Sequence, residues 1–182
     1  MLLKNNPENL GSEIIPFSLK GTDDNIYTEE YFSDAELAVI IFMCNHCPYV
    51  IAVIERLIKL QEKYAGKKVK FVGINPNDAV QYPRDSFENM KIFSSENKMN
   101  FPYLADETQQ IARQYDAVCT PDIFVYDKSR KLKYRGRLDD NWKNEGEVKS
   151  RELEKAIELL LEKKEIDFTQ YPSMGCSIKW KK

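Results

Sequence analysis

Cys44-Asn45-His46-Cys47 sets two thiols three positions apart, a spacing suited to making and breaking an intramolecular disulfide. The pair lies between an apolar run, Leu37 to Met43, and a segment with helical periodicity, Pro48 to Ala65, so the thiols fall where a strand passes into a helix. Unpaired N–H groups and the dipole at a helix start stabilise a thiolate, the attacking species in disulfide exchange. On this reading Cys44 is the more exposed sulfur and attacks, while Cys47, one turn further into the helix, resolves. His46 is the chain's one histidine. A protonated or hydrogen-bonding imidazole between the thiols favours the Cys44 thiolate; the alternative is an exposed spacer. Zinc is the competing chemistry, but a structural zinc site needs a second ligand pair. The remaining thiols, Cys119 and Cys176, are single and distant, so no metal is expected.

Four cysteines in 182 residues are too few for a disulfide-stapled scaffold, which leaves catalysis as the better use of the pair. The length fits one domain, 1–182, on the rough expectation of about 100 to 200 residues per domain. With 42% hydrophobic and 31% charged residues, the chain can bury a core and solvate its surface. Its 27 basic and 29 acidic residues nearly cancel, so no broad field points to nucleic acid. The longest apolar run, Leu37 to Cys44, is far short of the roughly 18 to 20 residues needed to cross a bilayer. The polar start, Met1 to Gly11, lacks a signal-peptide core, and the expectation is a cytoplasmic protein.

The elements that must position the thiols can be read in order. Pro16 to Lys20 and Asn25 to Thr28 flank Gly21-Thr22-Asp23-Asp24 and predict an amino-terminal hairpin within about 14–28. Ala38 to Met43 predicts a central strand covered on both faces. Val50, Val53, Ile54, Leu57, Leu60 and Tyr64 then follow a helical stripe, with Pro48 at its first turn and Gly66 at its stop. Val69 to Ile74 completes a βαβ unit, expected to be right-handed. Asp85 and Glu88 have capping-box spacing before a helix at about Ser86 to Lys98. The same spacing at Asp106 and Gln109 precedes a short helix. Further strands are expected at Phe101 to Leu104, Ile123 to Tyr126 and Leu132 to Tyr134, a last helix from Ser150 to about Lys164, and an irregular tail over 165–182. This order predicts an α/β fold: a mixed central sheet with helices on both faces.

A strand ending in Met43, then Cys44-Asn45-His46-Cys47-Pro48, a helix, a strand and later Thr120-Pro121, resembles the thioredoxin fold. With the amino-terminal hairpin and the long segment between Cys47 and Pro121, the chain is most similar to the peroxiredoxin-like branch, the alkyl hydroperoxide reductase and thiol-specific antioxidant family. The motifs are Cys44 to Val50, Cys119-Thr120-Pro121-Asp122, Arg135 to Asp140 and Gly175 to Trp180, and the similarity spans almost the whole chain. It implies that Pro121 is cis and lies opposite the thiols, where it and Thr120 meet an extended substrate segment. It implies an oxidoreductase whose only prosthetic element is its own Cys44–Cys47 disulfide. The substrate is then a protein disulfide, small thiol or peroxide, and a dithiol donor such as a thioredoxin system re-reduces the pair. No nucleic-acid or membrane partner is implied.

The resemblance also marks departures. Aligned on Cys47-Pro48, the chain has Cys44 where peroxiredoxins carry Thr or Ser and Ile40 where they carry Pro. Ala38 stands six residues before Cys44, where thioredoxins keep a buried carboxylate, so the proton acceptor must lie elsewhere. Two further functions follow as alternatives: a thiol peroxidase with Cys47 peroxidatic and Cys44 resolving, or a non-enzymatic redox-sensing module. Cys119 is a third redox thiol or a small buried hydrophobe. Cys176 is a resolving, regulatory or inert thiol. Arg137 supplies a cation to the site or pairs with Asp139 or Asp140.

Overall fold

The computed structural model describes residues 2–4 and 9–182, the first of these as backbone alone. In chain order the elements are β1 (Leu2–Lys4), β2 (Ser18–Gly21), β3 (Ile26–Thr28), β4 (Leu37–Phe42), α1 (Pro48–Ala65), β5 (Val69–Asn75), α2 (Phe87–Glu96), β6 (Tyr103–Ala105), α3 (Gln110–Gln114), β7 (Cys119–Thr120), β8 (Asp122–Tyr126), β9 (Leu132–Gly136), α4 (Glu152–Leu161) and β10 (Met174–Ser177). Seven strands form one sheet in the order β3-β2-β6-β5-β4-β8-β9. Its centre is parallel, β4 with β5 and β5 with β6, and its flanks are antiparallel. This is the mixed, helix-flanked sheet of the thioredoxin fold.

The continuous apolar sequence of β4 follows from its position: all six residues are buried, and alternate ones serve opposite layers. Val39 and Ile41 pack with α1, with Met90 of α2 and with Leu153, Ala156 and Ile157 of α4. Ala38, Ile40 and Phe42 pack with Phe32, Ala112 and Tyr115 on the other side. Helix α1 is held by its buried stripe of Val50, Val53, Ile54, Leu57, Leu60 and Tyr64, where a fully buried aliphatic side chain is worth about 1.5–3 kcal/mol. Pro48 at the first helical position starts α1 immediately after Cys47. The sheet and helix therefore fix the dithiol from both sides.

Two local expectations are corrected. The cap of α2 is Ser86, whose hydroxyl accepts from the Asn89 N–H, and not Asp85, whose carboxylate is turned inward. The tail expected to be irregular contains a strand: β10 pairs antiparallel with β7 on one side and β1 on the other, a second sheet of three strands. Gly175 permits this. A Cβ there would lie 2.0 Å from the Thr120 carbonyl oxygen, so only glycine lets the tail lie flat against that backbone. No helix of the described residues is long and apolar enough to cross a membrane.

Candidate active site

Cys44 and Cys47 sit in the turn from β4 to α1, and the Thr120-Pro121 peptide, which is cis, faces them. The Cys44 Sγ lies 3.3 Å from the Thr120 hydroxyl, and the Cys47 thiol donates to the Thr120 carbonyl at 3.0 Å. The expectation that Cys44 is the exposed sulfur is not met: Cys44 is 1% and Cys47 0% exposed. Thr120 contacts both sulfurs, and Cys176 of the tail strand packs against the cluster that holds them.

Asp85 organises that loop. Fully buried, it accepts from the Asn45 N–H at 2.8 Å and from the Asn77 amide at 2.7 Å. The Asn45 side chain in turn donates to the Arg84 carbonyl at 2.9 Å and accepts from the Tyr103 hydroxyl at 2.8 Å. His46 Nδ1 approaches the second Asp85 oxygen to 2.6 Å, outside hydrogen-bonding alignment, and its ring stacks parallel to Tyr82 at 5.9 Å. His46 is thus held by a carboxylate as well as lying between the thiols. The Cys44 sulfur, a His46 nitrogen and an Asp85 oxygen lie within 4.8 Å of one another. Among the described residues, these three are the donors that could hold a cation. Both Asp85 oxygens already have partners in Asn45, Asn77 and His46.

The two thiols share their protons unequally. Cys44 is pushed well above the ordinary thiol value by its hydrogen bond to Cys47, then by burial and by the Asp85 carboxylate, against a smaller opposite pull from the Thr120 hydroxyl. Cys47 is held below it chiefly by the thiol of Cys44, with the Cys176 thiol and the N–H groups of Val50 and Cys176 also stabilising the charge against burial. As N-cap of α1, Cys47 makes no capping hydrogen bond of normal geometry, yet it lies at the positive end of the helix. The Thr120 carbonyl works the other way, since it can accept from a thiol and offers nothing to a thiolate. On balance these surroundings favour negative charge on Cys47 over Cys44.

The remaining candidates separate. Cys176 lies in β10 directly across from Thr120 and packs against the cluster holding both thiols. Cys119 is buried, its thiol turned toward the Pro121 carbonyl at 3.5 Å. Arg137 does not pair with Asp139 or Asp140: its Nε donates to Glu152 at 3.1 Å and its guanidinium lies 4.6 Å over Tyr171. Asp139 is taken instead by Arg56. Arg137 still reaches the site's margin, because it lines, with Tyr49, Pro121, Trp142 and Tyr171, a cavity of about 240 Å³ beside the cis peptide.

Residues 10–135 match the AhpC/TSA family. The chain belongs to the AhpC/TSA family. Among solved structures, this family member is similar to an uncharacterized conserved protein from Geobacillus kaustophilus, at 45% identity and a TM-score of 0.94, over 100% of this chain and 97% of that one. It is also similar to a hypothetical protein from Sinorhizobium meliloti, at 36% identity and a TM-score of 0.93, over 98% of each chain. A putative thiol:disulfide interchange protein DsbE from Chlorobium tepidum shares the fold, at 18% identity and a TM-score of 0.67, over 84% of this chain and 97% of that one. No curated protein matches the chain. The AhpC/TSA assignment makes this a thioredoxin-fold protein of the thiol oxidoreductase and peroxidase kind. Its reaction is argued next from the site.

Proposed function

We propose that the protein is a thiol–disulfide oxidoreductase that cycles through a Cys44–Cys47 disulfide. The observation that carries this is the contact of both sulfurs with Thr120, beside the cis peptide and at the start of α1. The Cys47 thiolate attacks one sulfur of a substrate disulfide, and the other sulfur leaves and takes up a proton. Cys44 then attacks the Cys47 sulfur of the mixed disulfide, releasing the second substrate thiol and closing the intramolecular bond. The Asp85 carboxylate, within 4.8 Å of the Cys44 sulfur, is an acceptor within reach of the Cys44 proton. A cellular dithiol donor, such as a thioredoxin system in the cytoplasm, reopens the disulfide.

The near-complete burial of both sulfurs supports a second reading, in which the substrate is a hydroperoxide. The Cys47 thiolate then attacks the peroxide oxygen to form a sulfenic acid and releases water or alcohol. Cys44 condenses with it to give the same disulfide and one water. Quantifying Cys44–Cys47 disulfide after limited exposure to a small disulfide or to peroxide tests both. A variant with both Cys44→Ser and Cys176→Ser, which leaves no neighbouring thiol to resolve it, is expected to hold a stable adduct on Cys47, a mixed disulfide in the first case and a sulfenic acid in the second. Absence of any Cys44–Cys47 disulfide under both oxidants would sink the proposal.

A further inference from the structure

Neither active-site sulfur reaches the surface, yet a pair that cycles must exchange its disulfide with an external dithiol. An extended segment approaching these sulfurs would add to the edge of β7, the short strand that ends at Thr120. That edge is already occupied by the chain's own β10, with Cys176 opposite Thr120 and Ser177 opposite Cys119. The tail is fastened on both sides of this contact. The Ser173 hydroxyl donates to the Gly136 carbonyl at 2.5 Å, and the Lys179 N–H donates to Asn77 Oδ1 at 2.9 Å. Asn77 is also a donor to Asp85, so the tail is joined to the loop beside Cys44. Of the three sulfurs at the site, Cys176 alone is only half-buried.

We propose that Cys176 is a third redox-active thiol, presented by β10 where a substrate segment would pair, and that it moves the disulfide from the buried Cys44/Cys47 pair to Cys47–Cys176, one sulfur of which is only half-buried. The inference rests on the cycling pair proposed above. The Cys176 thiolate attacks Cys47 Sγ of the Cys44–Cys47 disulfide. The new bond is Cys47–Cys176, and Cys44 leaves as a thiolate that takes up the proton Cys176 gave away. No net electrons are exchanged, and an external dithiol then reduces this bond by attack on its half-buried Cys176 sulfur, releasing Cys47. In the reduced protein the Cys176 thiol is pushed up to about 11, first by burial and then by Cys47, while Lys179 pulls it down. Once Cys47 is in a disulfide its negative charge is gone, so Cys176 ionises most readily in the state that needs it to attack.

The test oxidises the full-length protein with one equivalent of diamide, quenches in acid, alkylates and maps disulfides without reduction. Wild type is expected to show both Cys44–Cys47 and Cys47–Cys176, and Cys44→Ser the second alone. Gly175→Ala, whose added Cβ drives the tail from Thr120, is expected to keep Cys44–Cys47 and lose Cys47–Cys176. Cys176→Ser is expected to keep Cys44–Cys47 but to be reduced by a protein dithiol about tenfold more slowly, with little change toward the small reductant dithiothreitol. If Cys44–Cys47 forms while Cys176 stays free in wild type and in Cys44→Ser, the relay is overturned and the cycling pair stands. If only Cys47–Cys176 forms, the third thiol stands and the Cys44–Cys47 reading is overturned. Unchanged reduction of Cys176→Ser by the protein dithiol overturns the relay role.

Discussion

Asp85 ties the loop beside the dithiol together: its buried carboxylate accepts from the Asn45 backbone and meets His46, and it adds to Cys47 and to burial in raising the cost of charge on Cys44. Replacing it with Asn removes the charge but keeps one accepting oxygen. Titration of the reduced thiols in Asp85→Asn, followed by thiolate absorbance, is therefore expected to show Cys44 ionising at lower pH than in wild type. An unchanged or higher midpoint would show that the carboxylate does not contribute to raising Cys44. The same variant turns an amide NH2 toward a donor, so a stability loss of about 1–3 kcal/mol is expected alongside. The sequence hid this residue. Asp85 stands 41 positions after Cys44, and its spacing to Glu88 imitates a helix cap that Ser86 in fact provides. By contrast Cys44, Cys47, Thr120 and Pro121 were legible, because their chemistry depends on residue type and short spacing.

At the scale of elements, α1 is tied to the loop after β9 by one guanidinium. Arg56 pairs with buried Asp139 and donates to the Asn141 carbonyl at 3.1 Å and the Trp142 carbonyl at 2.7 Å, and Trp142 packs on Tyr49 at 4.1 Å. The loop so held forms one wall of the cavity beside Pro121. Arg56→Met leaves Asp139 buried without its cation, which is expected to cost about 3–5 kcal/mol in denaturant unfolding at neutral pH. Asp139 is raised above the ordinary carboxylate value, burial outweighing Arg56. Removing Arg56 raises it further, so the penalty should shrink as the pH falls through that value and the neutral acid forms. A penalty independent of pH would assign the loss to packing alone. The helices and inner strands were readable because burial imposes a period on their sequence. The strand β10 was not, since Met174-Gly175-Cys176-Ser177 carries no alternation and pairs through backbone and the missing Cβ of Gly175.

For the molecule as a whole, three sulfurs between two sheets make the stability of the reduced state depend on pH in two opposed ways. In the unfolded chain each thiol titrates near its ordinary value of 9.0. Cys47 is held below that value when folded, so its thiolate contributes stability present above the unfolded pKa and lost as the pH falls through the folded one. Cys44 and Cys176 are raised, so their contribution is present below the unfolded pKa and lost as the pH rises toward their folded values, about 11 for Cys176. The thiol-dependent part of the unfolding free energy of the reduced protein is therefore expected to rise with pH up to about 9 and to fall beyond it. Urea unfolding of the reduced protein across this range, compared with Cys47→Ser, isolates the rising limb, which the variant should lack while keeping the fall above it. A rising limb that survives Cys47→Ser would mean that the negative charge of the reduced site rests on another sulfur, and the attacking role would pass back to Cys44.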